Sequence, residues 1–281
     1  MRRPTGLLLA FPAILVVILL AAVFASVVSV SLLQADPGGA VFHGPASLRN
    51  YTRLLGSADA WRSVSNTLRL SGIVTLICLV CGFPLARLLA RASSARTRRM
   101  ILFCLMATFF SGGVTRAYAW LIILGNRGLI NQSLQALGLP SVALINNETG
   151  VVTAMLNFVL PFFVLTLFSA LRTIPDTLES AARNLGASRA RTFLHVTLPL
   201  SLPGVAASCF LCFALSLGAF LFPEMLGGGR VQVLATAIYD RIQTTYDVPS
   251  AAALAMLFLL LILCLLAVLG AARQVVTRRA T

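Results

Sequence analysis

Crossing the hydrocarbon core of a bilayer as an α-helix takes about 20 consecutive, mostly apolar residues. This chain of 281 residues carries six such runs, at about 7–33, 64–89, 101–124, 150–171, 199–222 and 250–272. Only 11% of its residues are charged, against about 25% in a typical soluble domain. The fold class that follows is an all-α polytopic membrane protein with six transmembrane helices. The first run follows Arg2 and Arg3 and could pass for a signal peptide. Its apolar core is too long, and no small-residue cleavage motif closes it, so it is expected to be a retained span. The expected organisation is an N-terminal helix with an outer loop (1–63), a five-helix core (64–272) and a short tail (273–281).

Charge orients these spans. The formal net charge is +14, and all 22 basic residues are arginine. Without lysine the chain has no P-loop phosphate ligand and no Schiff-base amine, so ATPase chemistry of that type has to come from another chain. The arginines lie in short runs between apolar stretches rather than among aromatics on one solvated face, which argues against nucleic-acid binding. Six spans leave both termini on one side, and basic loops select the cytoplasm. Fourteen of the arginines fall on one side: Arg2 and Arg3; Arg87, Arg91, Arg96, Arg98 and Arg99; Arg172, Arg183, Arg189 and Arg191; Arg273, Arg278 and Arg279. The termini and the loops 91–99 and 172–198 are therefore expected in the cytoplasm. The six cysteines include two C-x-x-C pairs, Cys78/Cys81 and Cys209/Cys212. All lie in apolar runs, where cysteine packs as a small apolar residue, and no metal site or disulfide is expected.

The segment between the fourth and fifth spans is the most informative. Pro175 can open a helix, and Asp176 and Glu179 have capping-box spacing at its positive end. Leu178, Ala181, Ala182 and Leu185 then fall on one stripe. Gly186 suits a C-terminal turn, and Ser188 suits the cap of a second short helix. A short helix whose stripe carries two alanines admits a partner closely and reads as a docking knob.

The spacing of Ala181, Ala182, Gly186, Leu198 and Pro199 resembles the cytoplasmic signature of permease subunits of type I ATP-binding-cassette importers. Val196 stands where that family prefers Ile, Asn184 where Asp is common, and Ser180 where it has Glu, with Glu179 just before it. Arg116–Trp120, Gly128–Asn131, Leu137–Gly138 and Leu226–Gly228 resemble the subgroup that carries spermidine and putrescine. Relatives of that subgroup carry ferric iron, thiamine, phosphonates or opine-like solutes.

The resemblance implies a coupling helix built from Glu179, Ser180, Ala181, Ala182, Leu185 and Gly186 and ending at Leu198 and Pro199. It implies two ATPase subunits, a second and non-identical permease chain, an extracytoplasmic solute-binding protein and an inner-membrane location. The chain itself is then no enzyme and needs no cofactor.

Polar groups inside spans are costly and mark transport paths. Asn157, beside the helix-loosening Pro161, is the best path candidate, with an interhelical hydrogen bond as the competing role. Ser216 is a second candidate, although it and Ser208 can bond back to their own helix. Glu224, at the outer end of the fifth span, can attract a cation or serve as a surface acid. Arg116 and Trp120 suit interface anchors. His43 and His195 lie outside the spans, which excludes an intramembrane serine protease using them. A secondary transporter or a membrane scaffold is a weaker alternative, because repeats and intramembrane charges are not evident. A reporter fused after Thr281 is expected to read out as cytoplasmic; a periplasmic signal there would overturn the six-span orientation.

Overall fold

The computed structural model describes residues 5–35, 42–43, 46–92 and 94–278. Arg2, Arg3, Arg279 and the loop residues Pro37, Gly38, Gly39 and Pro45 lie outside them. Helices dominate, in the order α1 (Thr5–Ser31), α2 (Arg49–Leu55), α3 (Ala58–Arg91), α4 (Ala95–Phe110), α5 (Gly113–Leu124), α6 (Leu129–Ala136), α7 (Glu148–Arg172), α8 (Asp176–Asn184), α9 (Arg189–Thr192), α10 (Leu198–Leu217), α11 (Leu221–Gly227), α12 (Leu234–Gln243) and α13 (Val248–Arg278). A π-helical turn, Phe193–Thr197, joins α9 to α10. Between α1 and α2, β1 (Gln34–Ala35) and β2 (Phe42–His43) form a two-residue antiparallel pair.

Among the described residues, five helices are long and apolar enough to cross a membrane, and a bent pair raises the number to six. The bent pair corrects the sequence reading. The third run is not one straight helix: α4 ends at Phe110, α5 begins at Gly113, and the chain turns by 103°. The polar connections are also partly helical, with α6 in the stretch after the third run and α12 in the stretch after the fifth.

The chain divides into two compact units, residues 1–63 with 234–266, and 64–233 with 267–281. In the first unit α1 is apolar all round and exposed, with Leu15, Val17 and Leu19 at 55–64% exposure. A helix of that kind is stable only in a non-aqueous surround. Its final carbonyls would lack partners there. Leu32 N and Leu33 N take Ser29 O and Val30 O, and the Asn50 amide donates to Ser31 O at 2.9 Å and, beyond the helix, to Leu33 O at 2.8 Å.

In the second unit the packing centres on α7. Val151, Met155, Val159, Phe163, Leu167 and Leu171 are 0–2% exposed. Asn147 caps the helix, accepting from Gly150 N at 3.0 Å. Small residues let its neighbours approach. A Cβ on Gly204 of α10 would stand 2.4 Å from the Ala170 Cβ, and one on Gly82 of α3 would stand 2.5 Å from the Phe163 ring. Where lipid removes the hydrophobic drive between helices, such small-residue contacts and their dispersion energy hold them together. Ring contacts fix other neighbours, Phe109 of α4 edge-on to Phe162 at 4.8 Å and Phe158 tilted against Phe222 of α11 at 5.8 Å.

Gly204→Leu is expected to cost about 1–3 kcal/mol by overpacking, seen as a lower melting temperature of the detergent-purified protein. Gly72→Ala, where no atom beyond the helix's own nearby backbone lies within 4 Å of the added Cβ, is expected to leave stability unchanged or raise it by up to about 1 kcal/mol.

Candidate functional site

The α8 segment is a knob with two chemically distinct sides. None of its residues is buried. Leu178 is 43% exposed and Leu185 90%, with Ala181 exposed and Ala182 half-buried between them. An apolar stripe therefore lies open along this side of the segment. Pro175 is the cap residue, with extended backbone and no side-chain cap bond, so the capping box expected from Asp176 and Glu179 does not form. Gly186 ends the segment at φ +84°, a left-handed turn that favours glycine. Ser188 caps α9 as expected, accepting from Arg191 N at 3.3 Å.

The two acids serve tertiary contacts instead. Arg91, at the end of α3, donates to Glu179 Oε1 at 3.1 Å and to Ile174 O at 3.3 Å, and it also pairs with Asp176. Thr197, in the π turn, donates to the same Glu179 oxygen at 2.9 Å. The Glu179 side chain is only 16% exposed, the Asp176 side chain 79%. Glu179 therefore latches α8 to α3 and to the π turn. Its neighbour Ser180 faces out, bonded to Asp176 O at 3.1 Å and to Arg183 at 3.5 Å. The π turn inserts a residue before α10 and alters the helix phase at Thr197. Leu198, half-buried, and Pro199, exposed, then open α10. Neither Arg91 nor Thr197 was singled out from sequence as a partner of this segment; only their tertiary placement reveals it. His195 is exposed, with Nδ1 3.1 Å from Arg191 O.

The path candidates lie on three helices. Asn157 is half-buried on α7 and has no hydrogen-bond partner among the described residues. Its neighbour Phe158 meets Phe222, which brings this turn of α7 beside α11, where Glu224 is half-buried in the first turn. Ser208 bonds back to Gly204 O at 2.8 Å, as anticipated. Ser216 does not: it is 3% exposed and its hydroxyl lacks a partner among the described residues. A buried, unsatisfied hydroxyl is an uncommon feature and singles Ser216 out on α10.

Arg116 corrects another expectation. It is not an interface anchor but a buried residue, 9% exposed. Its guanidinium donates to Ser111 O at 3.0 Å and to Thr108 O, and lies 5.7 Å over the Phe158 ring. It thus satisfies carbonyls that α4 leaves bare where the helix breaks. The other segments quoted for the subgroup are similarly architectural. Asn131 is fully buried, donating to Gly125 O and Val142 O and accepting from Val142 N, all at 2.9–3.0 Å. A Cβ on Gly128 would meet Ile122 O at 2.3 Å. Leu226 O accepts from Asn146 N at 2.8 Å.

Arg91→Ala is expected to weaken the hold on α8 by about 1.5–3 kcal/mol, the range for hydrogen bonds to charged groups. Amide exchange across residues 176–184 should accelerate roughly ten- to a hundredfold. Asp176→Asn, at a largely exposed pair, should change it by less than about fivefold.

Known proteins match this chain in sequence and in fold. A family model described as "Binding-protein-dependent transport system inner membrane component" matches residues 82–278. The chain is 31% identical to the spermidine/putrescine transport system permease protein PotB of Haemophilus influenzae, over 90% of this chain and 88% of that one. It is 32% identical to PotB of Escherichia coli, over 74% and 75%. The structure of a bacterial ABC transporter that imports the acidic polysaccharide alginate superimposes with a TM-score of 0.81 at 19% identity, covering 97% of this chain and 96% of that one. The exposed knob and its spacing to Leu198 and Pro199 thus sit within a matched family, and the chain belongs to the inner membrane components of binding-protein-dependent transport systems.

Proposed function

We propose that this chain forms half of the substrate path of an ABC importer and passes ATP-driven motion to that path through α8. The observation that carries the proposal is the two-sidedness of α8. Its stripe of Leu178, Ala181, Ala182 and Leu185 is open, while Glu179 fastens its other side to Arg91 and Thr197. A partner that seats on the stripe and moves will move α3 and the start of α10 with it. That is a rigid-body switch biased from one end. In this reading α8 lies in the cytoplasm, where an ATPase subunit accepts it. Two such ATPases, a non-identical sister permease and a solute-binding protein on the outer face complete the machine.

The proposed cargo is a polyamine. Two relatives named as spermidine/putrescine permeases match over most of the chain, and Glu224 offers a carboxylate near the end of α10 for a cation. Asn157 and Ser216 are proposed path residues, because each combines a position in an apolar helix with an amide or hydroxyl unpartnered among the described residues.

Gly186→Asp and Ala182→Arg are each expected to abolish uptake of labelled spermidine in cells carrying the complete transporter, with membrane levels of the protein unchanged. Undiminished uptake by both variants would overturn the coupling role of α8. Loss of uptake for another solute, with no spermidine uptake in wild type, would retain the coupling role and overturn the polyamine assignment.

A further inference from the structure

An open groove of about 410 Å³ lies beside the α8 latch, lined by Phe83, Pro84, Arg87, Leu88, Arg91 and Phe193. Its volume is over ten times one water's share of the liquid, about 30 Å³, so it exceeds what a single ion needs. Five of the six lining residues share one stripe of α3 at spacings of four and eight. The wall mixes apolar surface, with Leu88 52% exposed, and two guanidinium groups.

Those two groups are in different electrostatic states. Arg91 is neutralised by Asp176 and Glu179. Arg87, one turn earlier and half-buried, lies 4.5 Å over the Phe193 ring. Among the described residues it has no carboxylate partner. Phe193 itself is held edge-on by Phe83 at 5.7 Å, so the ring that supports the cation is fixed. A partly desolvated cation at a membrane boundary calls for an anion. Basic recesses between transmembrane helices on the cytoplasmic side are suited to anionic lipid headgroups.

We propose that this groove holds one anionic phospholipid of the cytoplasmic leaflet, its phosphate on Arg87 and the start of an acyl chain along Pro84 and Leu88. The leaflet assignment rests on the orientation proposed above. Phe193 opens the π turn whose Thr197 grips Glu179, so the bound lipid would brace the base of the latch.

The test is lipid retention by the full chain, assembled with its partner subunits and extracted from nanodiscs of equal phosphatidylglycerol and phosphatidylcholine, read by native mass spectrometry. Wild type should retain phosphatidylglycerol preferentially. Arg87→Gln should lower that preference about fivefold, the worth of one arginine near an anionic surface. Arg87→Lys should keep most of it, which controls for folding. Arg99→Gln, on the exposed start of α4, should leave it unchanged.

Equal preference in wild type and Arg87→Gln would overturn the proposal. So would displacement of the lipid by millimolar inorganic phosphate, which marks a free-anion site, or its loss whenever the ATPase binds, which assigns the groove to that subunit. A periplasmic reporter after Thr281 with lipid retained would overturn only the leaflet. Uptake that survives Gly186→Asp and Ala182→Arg would overturn only the coupling reading.

Discussion

In a low-dielectric surround a polar group left without a partner within the protein is costly, because water is not there to supply one. The positions of the few polar side chains in this apolar sequence follow from that constraint. Where α1 ends, Asn50 takes the carbonyls of Ser31 and Leu33. Where α4 breaks, Arg116 takes those of Thr108 and Ser111. Where the chain folds back after α5, Asn131 binds both strands of the connection through one buried amide. Caps at Ser94, Asn147 and Ser188 do the same for helix starts. Each of these residues makes an irregular backbone feature tolerable, and the broken span depends on them.

A single shielded carboxylate gives α8 its mechanical character. A short helix of nine residues is marginal alone. Arg91, Glu179 and Thr197 join it to the ends of two long helices through one carboxylate. The pair is mostly shielded, so its charge-assisted bonds are stronger than those of an exposed pair. Asp176 adds a second carboxylate that is largely in solvent and contributes little by the same reasoning. The π turn between α9 and α10 has a structural role in this joint: Leu198 N bonds to Phe193 O, and the altered phase accompanies a Thr197 hydroxyl on the Glu179 carboxylate.

The apolar spans and the exposed segment between the fourth and fifth runs were legible because each is written locally. Apolar runs of membrane length, the arginine bias and the Ala181–Pro199 spacing need only neighbouring residues. The segments Gly128–Asn131 and Leu226–Gly228 were also legible as a resemblance, but their meaning was not. Residues 125–148 read as a polar loop, whereas Asn131 is fully buried and tied to Val142, eleven positions on. Arg116 read as an interface anchor because an arginine near a span end usually is one. The break at Ser111–Gly112 that needs its guanidinium is visible only in three dimensions.

By itself the sequence determined that the chain is a bundle of membrane-length helices with an exposed, small-residue knob between the fourth and fifth runs. Periodicity, hydropathy and turn chemistry are local properties, and they suffice for that. Tertiary structure decided which polar residues are architecture and which remain without partners. It assigned Glu179 to the latch rather than to a capping box, Ser208 to its own helix, and left the Ser216 hydroxyl unsatisfied. The reason is physical: a hydrogen bond between residues 18, 83 or 88 positions apart depends on how helices pack, and that packing is set by close contacts such as Gly204 on Ala170 that no local pattern encodes.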